Sequence, residues 1–284
     1  MARSFGILMV AVLLVSSMAC LPKAEQGSHR TSQDIRDETA HRETTNTMER
    51  TSALVPPEGR STREEAGTAA TDSPVAWDYV ALGDSLAVGV GASRGYVDRY
   101  AAYIESDTGA HVRVINLGEG GQMSSELLYA LRNDRSMRRA LSVAEVVTFN
   151  IGINDLGHAG QAYENGACGG DDNQECLRAA VEAVKKNWDA IIAELLSLRS
   201  TEDTIIRTAG IGYTPRVPGI FKPYVAEVNR HIATAAAARD IPCAQPYLDE
   251  EYMSPDGVHP NDDGYEAMAE RLRGLGYEPL SSDR

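Results

Sequence analysis

The chain has 284 residues, with 41 acidic side chains against 27 basic ones and a formal net charge of -14 at pH 7. An acidic excess of that size is not attracted to nucleic acid or to an anionic membrane face, so neither is expected as a direct partner. From Trp77 onward the chain is of ordinary single-domain size, with no internal repeat and no second long linker to divide it.

In chain order, Arg3 precedes an unbroken apolar run from Ile7 to Val15, followed by Ser16, Ser17 and Met18-Ala19-Cys20. The run is well short of the ~20 residues that a membrane span needs, and its flanks have the parts of a secretory signal. Residues 1–19 therefore read as an export signal. Ser17-Met18-Ala19 suits ordinary signal peptidase, whereas Ala19-Cys20 resembles a bacterial lipobox, in which the cysteine becomes the lipidated first residue. Both readings cut at the same bond. The expectation is an exported protein of the bacterial cell envelope, anchored through lipidated Cys20 and otherwise secreted.

Residues 20–76 change character. Ser, Thr, Glu, Arg, Gln and Ala dominate, no aromatic residue occurs between Phe5 and Trp77, and Pro56-Pro57-Glu58-Gly59 would interrupt any helix. Such a segment cannot bury enough apolar surface to offset its ordering entropy, so it is expected to be a disordered tether.

Residues 77–284 alternate strands and helices. Tyr79 to Leu82 has the short apolar run of a buried strand, Tyr96 to Ser106 has helical spacing, and Val112 to Leu117 reads as a strand. Ser124 to Arg132 is then a helix, Val146 to Ile151 a strand, Cys176 to Leu198 a long amphipathic helix and Thr204 to Thr208 a strand. Helices over Tyr224 to Arg239 and Tyr265 to Leu275 close the series. Alternation of this kind implies an α/β fold with a parallel central sheet. Cys168 and Cys176 flank a turn-rich segment, and an exported chain can oxidise them, so a local disulfide is expected. A metal site there would need more ligands than the neighbouring His158. Cys243, after Ile241-Pro242, reads as a buried free thiol.

Four segments carry unusual residues. They are Gly83-Asp84-Ser85-Leu86 after the first strand, Asn116 to Gly121 after the second, Asn150 to Asp155 after the third, and Ser254-Pro255-Asp256-Gly257-Val258-His259-Pro260 near the end. Together and in this order they resemble the four blocks of the GDSL or SGNH hydrolases, over nearly all of Asp78 to Leu275. The resemblance implies a flavodoxin-like, three-layer α/β/α sandwich and a serine esterase. It also implies no metal or organic cofactor.

Each matched residue has a chemical reason to be there. A serine hydroxyl needs a base to become a nucleophile, and the neutral imidazole of His259 can take the proton of Ser85 and later pass it to a leaving group. Asp256, three residues earlier, can share a turn with His259 and fix its tautomer. Gly121, counted from Asn116 in preference to Gly120, would offer an unobstructed backbone amide to a developing oxyanion. Asn154 would offer a side-chain amide, and Ser85 its own backbone amide. Asp84 and Asp155 are expected to hold their loops by accepting from backbone amides. The second block reads Gly120-Gly121-Gln122 where many relatives have Ser-Gly-Asp.

The expected activity is hydrolysis of carboxylic esters through an acyl-serine, by a protein expected to be a monomer. Residues 157–173, as a loop, and Tyr213 to Lys222 with Val217, Ile220 and Phe221 are the expected walls of the acyl site. A lipid ester, a thioester and an acetylated glycan all suit the same residues, so a carbohydrate O-acetylesterase is the alternative reading. A non-catalytic surface binding lipoprotein is a third, which would not require the four polar groups to stay together.

Overall fold

The computed structural model describes residues 75–212, 218–245 and 249–280. The expected export signal, lipidated Cys20 and almost all of the tether lie outside the described residues, as do Tyr213 to Val217 of the expected acyl wall. Ala76, where the tether was expected to end, opens the first strand.

Five strands form one parallel sheet: β1 (Ala76–Gly83), β2 (His111–Asn116), β3 (Val146–Asn150), β4 (Ile205–Ala209) and β5 (Cys243–Ala244), in the order β2-β1-β3-β4-β5. The helices are α1 (Ser85–Val88), α2 (Tyr96–Thr108), α3 (Ser124–Asn133), α4 (Arg135–Val143), α5 (Ile153–Glu164), α6 (Glu175–Leu196), α7 (Lys222–Ala237) and α8 (Asp262–Arg273).

Period-two alternation sends the side chains of β1 into two cores. Val80 and Leu82 join Val147, Phe149 and Ile206 beneath α3 to α7, while Tyr79 and Ala81 join Val146 and Ile205 beneath α1, α2 and α8. This is the expected three-layer sandwich. Being covered on both faces, β3 is buried at every position, which is why Val-Val-Thr-Phe-Asn reads as a nearly continuous apolar run. Helix α6 buries Leu177, Val181, Val184, Trp188, Ile191, Ile192 and Leu195 at helical spacing, and the Trp188 indole donates to the carbonyl of Ile151 at 2.9 Å. That bond fixes the chain as it leaves β3.

The sheet order is that of flavodoxin-like folds. The chain runs from β1 outward to β2 and then crosses back to β3, so the crevice beyond the carboxyl ends of β1 and β3 is the topological switch point.

Two local expectations need correction, and one helix was not anticipated. Residues 157–164 are not loop but belong to α5, which buries Asp155, Leu156, Ala159 and Gly160 and packs Gly160 beneath the ring of Phe221. Tertiary packing of Leu156, Ala159 and Gly160 overrides the low helix propensity of the glycines. Helix α4, capped by Asp134 accepting from the amides of Ser136 and Met137, buries only Met137 and Leu141, too few to announce it by periodicity. Cys243 is half-buried rather than buried, because it opens a two-residue edge strand. Cys168 and Cys176 are joined as a disulfide, closing the loop between α5 and α6.

Candidate active site

Ser85 follows directly on β1. Gly83 turns the chain at φ 141°, and a Cβ there would collide with the carbonyl oxygen of Asn150, so only glycine fits this junction of the β1 and β3 ends. Asp84 then caps the single turn of α1, its Oδ1 accepting from the Leu86 amide at 3.0 Å. The side chain of Asn116 binds the turn from the side, donating to the Ala87 carbonyl at 2.7 Å and accepting from the Gly118 amide at 3.0 Å. The end of β2 and the nucleophile loop are thereby locked together.

His259 reaches Ser85 from across the chain. Its Nε2 lies 2.9 Å from Ser85 Oγ, and its Nδ1 lies 2.7 Å from Asp256 Oδ2. The other oxygen of Asp256 accepts from the hydroxyl of Ser254 at 2.7 Å and from the amides of Val258 at 2.8 Å and His259 at 2.9 Å. The turn closes on itself through the Ser254 amide donating to the His259 carbonyl at 2.8 Å. Partial burial pulls the Asp256 carboxyl upward, but the hydrogen bonds from His259, Ser254 and Val258 outweigh it and hold the group well below the usual carboxylate range.

Asp84 behaves in the opposite way. It is fully buried, and burial pushes its carboxyl up to about 6, against the Leu86 amide and the nearby His259, which favour the charged form. Its Oδ2 has no hydrogen-bond partner among the described residues.

The three expected oxyanion donors are Ser85 at the start of α1, Gly121 in the loop after β2 and Asn154 in the first turn of α5. Among the described residues, neither the Ser85 amide nor the Gly121 amide donates to a protein acceptor. Gly121 has φ 79°, which aims its amide in a way a side-chain-bearing residue rarely allows, and a Cβ there would meet nothing within 4 Å. Asn154 donates to the Gln122 carbonyl at 2.9 Å, which orients its amide group and leaves its second N–H. Asp155, next to it, accepts from both the amide and the hydroxyl of Ser124, at 2.9 and 2.6 Å. Each of the two aspartates expected to shape loops thus bonds a backbone amide.

Some contributors carried no sequence signal. Ser254 bonds both Asp256 and His259; Ser-Pro-Asp-Gly is a turn signature, but not one that announces a polar anchor for a carboxylate. Gly91 lies directly against the base, where a Cβ would come within 2.9 Å of His259 Cβ. Neither could be found without knowing that the fold brings residues 85–91 and 254–260 together. His158 is exposed on α5. Among the described residues no cluster of three or more His, Cys, Asp or Glu side chains could hold a metal ion.

A serine hydrogen-bonded to an imidazole, itself oriented by an ionised carboxylate, with free amides at the switch point, can carry out nucleophilic acyl transfer. Known proteins bear on the same region. The chain is 30% identical over 219 residues to the spore germination lipase LipC of Bacillus licheniformis, covering 71% of this chain and 97% of that one. Among solved structures it is similar to the lipase Lip_vut3 from a goat rumen metagenome, with 30% identity, a TM-score of 0.64, and coverage of 71% of this chain and 98% of that one. An acetyl xylan esterase from Geobacillus stearothermophilus shares the fold at 16% identity and a TM-score of 0.55, covering 74% of this chain and 99% of that one. Residues 81–267, which include Ser85, Gly121, Asn154, Asp256 and His259, match the GDSL-like Lipase/Acylhydrolase family, and the chain belongs to that family.

Proposed function

We propose that this carboxylic ester hydrolase works through Ser85, His259 and Asp256, with the Ser85 and Gly121 amides and the Asn154 side chain as its oxyanion donors. The observation that carries the reading is the hydrogen-bond chain from Asp256 through His259 to Ser85, at 2.7 and 2.9 Å. Ser85 Oγ attacks the ester carbonyl carbon while His259 Nε2 takes its proton. The negative charge that develops on the carbonyl oxygen is received by the three donors, which are in place before the reaction and need not reorganise. The bond to the alcohol oxygen then breaks, and His259 returns the proton to the departing alcohol. Water repeats the sequence on the acyl-serine, releasing the carboxylic acid and restoring Ser85. Asp256 stays ionised throughout and holds the ring.

Apolar side chains support an acyl site on the β4 side of Ser85. Leu86 is buried and Ile153 half-buried, and a Cβ at Gly212, just past β4, would stand 3.8 Å from Leu86 Cδ1. The test is a fluorophosphonate probe, which should label Ser85 in the wild type. Ser85→Ala should leave no labelling and reduce turnover about 10⁶-fold, with an unchanged thermal transition. Turnover that persists in Ser85→Ala overturns the assignment.

We further propose export and lipid anchoring through Cys20, resting on the apolar run that ends in Ala19-Cys20. A diacylated cysteine supplies the two chains that stable attachment needs, so the protein should stay with membranes through a high-salt wash. Cys20→Ser should release it, and recovery of wild type as a soluble protein with an unmodified Cys20 would refute the anchor.

A further inference from the structure

Beside Gly121, on the β2 side of the nucleophile, an open groove of about 550 Å³ is lined by Glu119, Gly121, Gln122, Ser125, Glu126 and Tyr129. Its size is that of a small-ligand site. Its chemistry is one-sided. Two carboxylates face it and no lysine or arginine lines it. Glu126 spends one oxygen on the Met123 amide, at 2.9 Å, and its other oxygen has no partner among the described residues. Gln122, only 4% exposed, closes the groove from below. Tyr129 stands three residues after Glu126 on the same face of α3 and is 70% exposed, an unusual position for an aromatic ring. Negative charge and an open aromatic face together call for a positively charged occupant.

We infer that this groove is a subsite for an ammonium group carried on the alcohol portion of the ester substrate. The assignment rests on the esterase reading given above. The apolar side chain of Leu86 lies toward Gly212, on the β4 side of Ser85, and suits the acyl portion. The groove lies on the opposite, β2 side, and begins at Gly121, one of the residues around the ester carbonyl. A cationic group on the alcohol would place its charge between Glu119 and Glu126 and its alkyl surface on Tyr129. The acidic field of the whole chain favours the same sign of ligand.

The test compares butyrylcholine with neohexyl butyrate, in which carbon replaces the quaternary nitrogen and the shape is retained. Wild type should favour the choline ester about tenfold in kcat/KM, and the preference should shrink as salt is raised. Tyr129→Ala, and separately the pair Glu119→Gln with Glu126→Gln, should bring the ratio of the two esters toward one. Glutamine keeps an acceptor for the Met123 amide, so the helix cap survives. Calorimetric binding of the same two esters to Ser85→Ala reads the subsite without any turnover, and should show the same preference. Equal binding of the two esters, or a preference that survives the Tyr129 and glutamate substitutions, would overturn the inference. A preference in binding with neither ester hydrolysed by wild type would uphold the ammonium subsite and tell against the hydrolytic reading instead.

Discussion

Ser85 hangs from the end of a strand that is buried along nearly its whole length, whereas Asp256 and His259 sit on a turn with Pro255, Asp256 and Val258 facing solvent. The two sides hold their groups by different physics. On the sheet side, position comes from close packing, as at Gly83 against the Asn150 carbonyl, and the carboxylate there is starved of solvent. On the turn side it comes from a dense set of local hydrogen bonds, and the carboxylate there is kept charged. Asp84 and Asp256, the acids nearest Ser85 and His259, are therefore shifted in opposite directions. Burial without partners favours the neutral acid, and donors converging on a half-exposed carboxylate favour the anion.

Substitutions can break this contrast at either end. Asp256→Asn strikes the turn side hardest. It can retain the geometry while presenting an amide to His259 Nδ1, which imposes the wrong tautomer, and kcat should fall about 10⁴-fold. Steady-state kinetics with the phosphonate labelling rate as a second readout checks it. On the sheet side, Asn154→Ala removes one oxyanion donor and should cost about 10²–10³ in kcat. An effect confined to KM would mean that Asn154 binds the ground-state ester.

Gly91→Ala joins the two sides. Its Cβ would press on His259 from the nucleophile's own loop, at a residue with φ 97°, and a displacement of the base by about 1 Å should lower kcat on the order of 10²-fold. A crystal structure of the variant should show His259 shifted with Asp256 still bonded to it.

The smallest change expected is in stability. Because the folded pKa of Asp84, about 6, lies above its ordinary 3.8, its favourable contribution to folding is complete below about pH 4 and is lost as the pH rises through about 6. Asp84→Asn, which keeps an oxygen for the Leu86 amide, should therefore gain as much as about 3 kcal/mol over wild type at pH 8 and nothing at pH 4. Asp256 has the opposite sign: its contribution is present above the ordinary carboxylate range and is lost as the pH falls through its depressed value. Urea unfolding of wild type and Asp84→Asn at pH 8 and pH 4 measures the Asp84 effect.

The same contrast explains what could be read from the sequence. The strand carrying Ser85 and the long helix α6 announce themselves, because burial imposes a period on their side chains. The pairing of Asp256 with His259 could be anticipated from the motif, because their spacing is local. What could not be read depends on the folded arrangement. Asn116 bonding Ala87, Gly91 packing on His259 and Gln122 accepting from Asn154 join segments whose proximity is set only by strand order. Helix α5 was hidden for a related reason, since Gly160 packs beneath Phe221, a contact that only the fold supplies.

Nucleophile and base are separated by 174 residues, and the base is delivered by the turn that leads into α8. Helix α8 is fastened by the Tyr265 hydroxyl donating to the Val90 carbonyl at 2.7 Å, and by Asp262 and Glu266 pairing with Arg99 of α2. During synthesis the strand and loop of Ser85 emerge long before this partner exists. A growing chain therefore carries an inert serine alcohol. On the proposed mechanism ester cleavage becomes possible only when α8 docks, so the onset of activity in a refolding or translation reaction would time the arrival of the final helix, independently of when the sheet itself has formed.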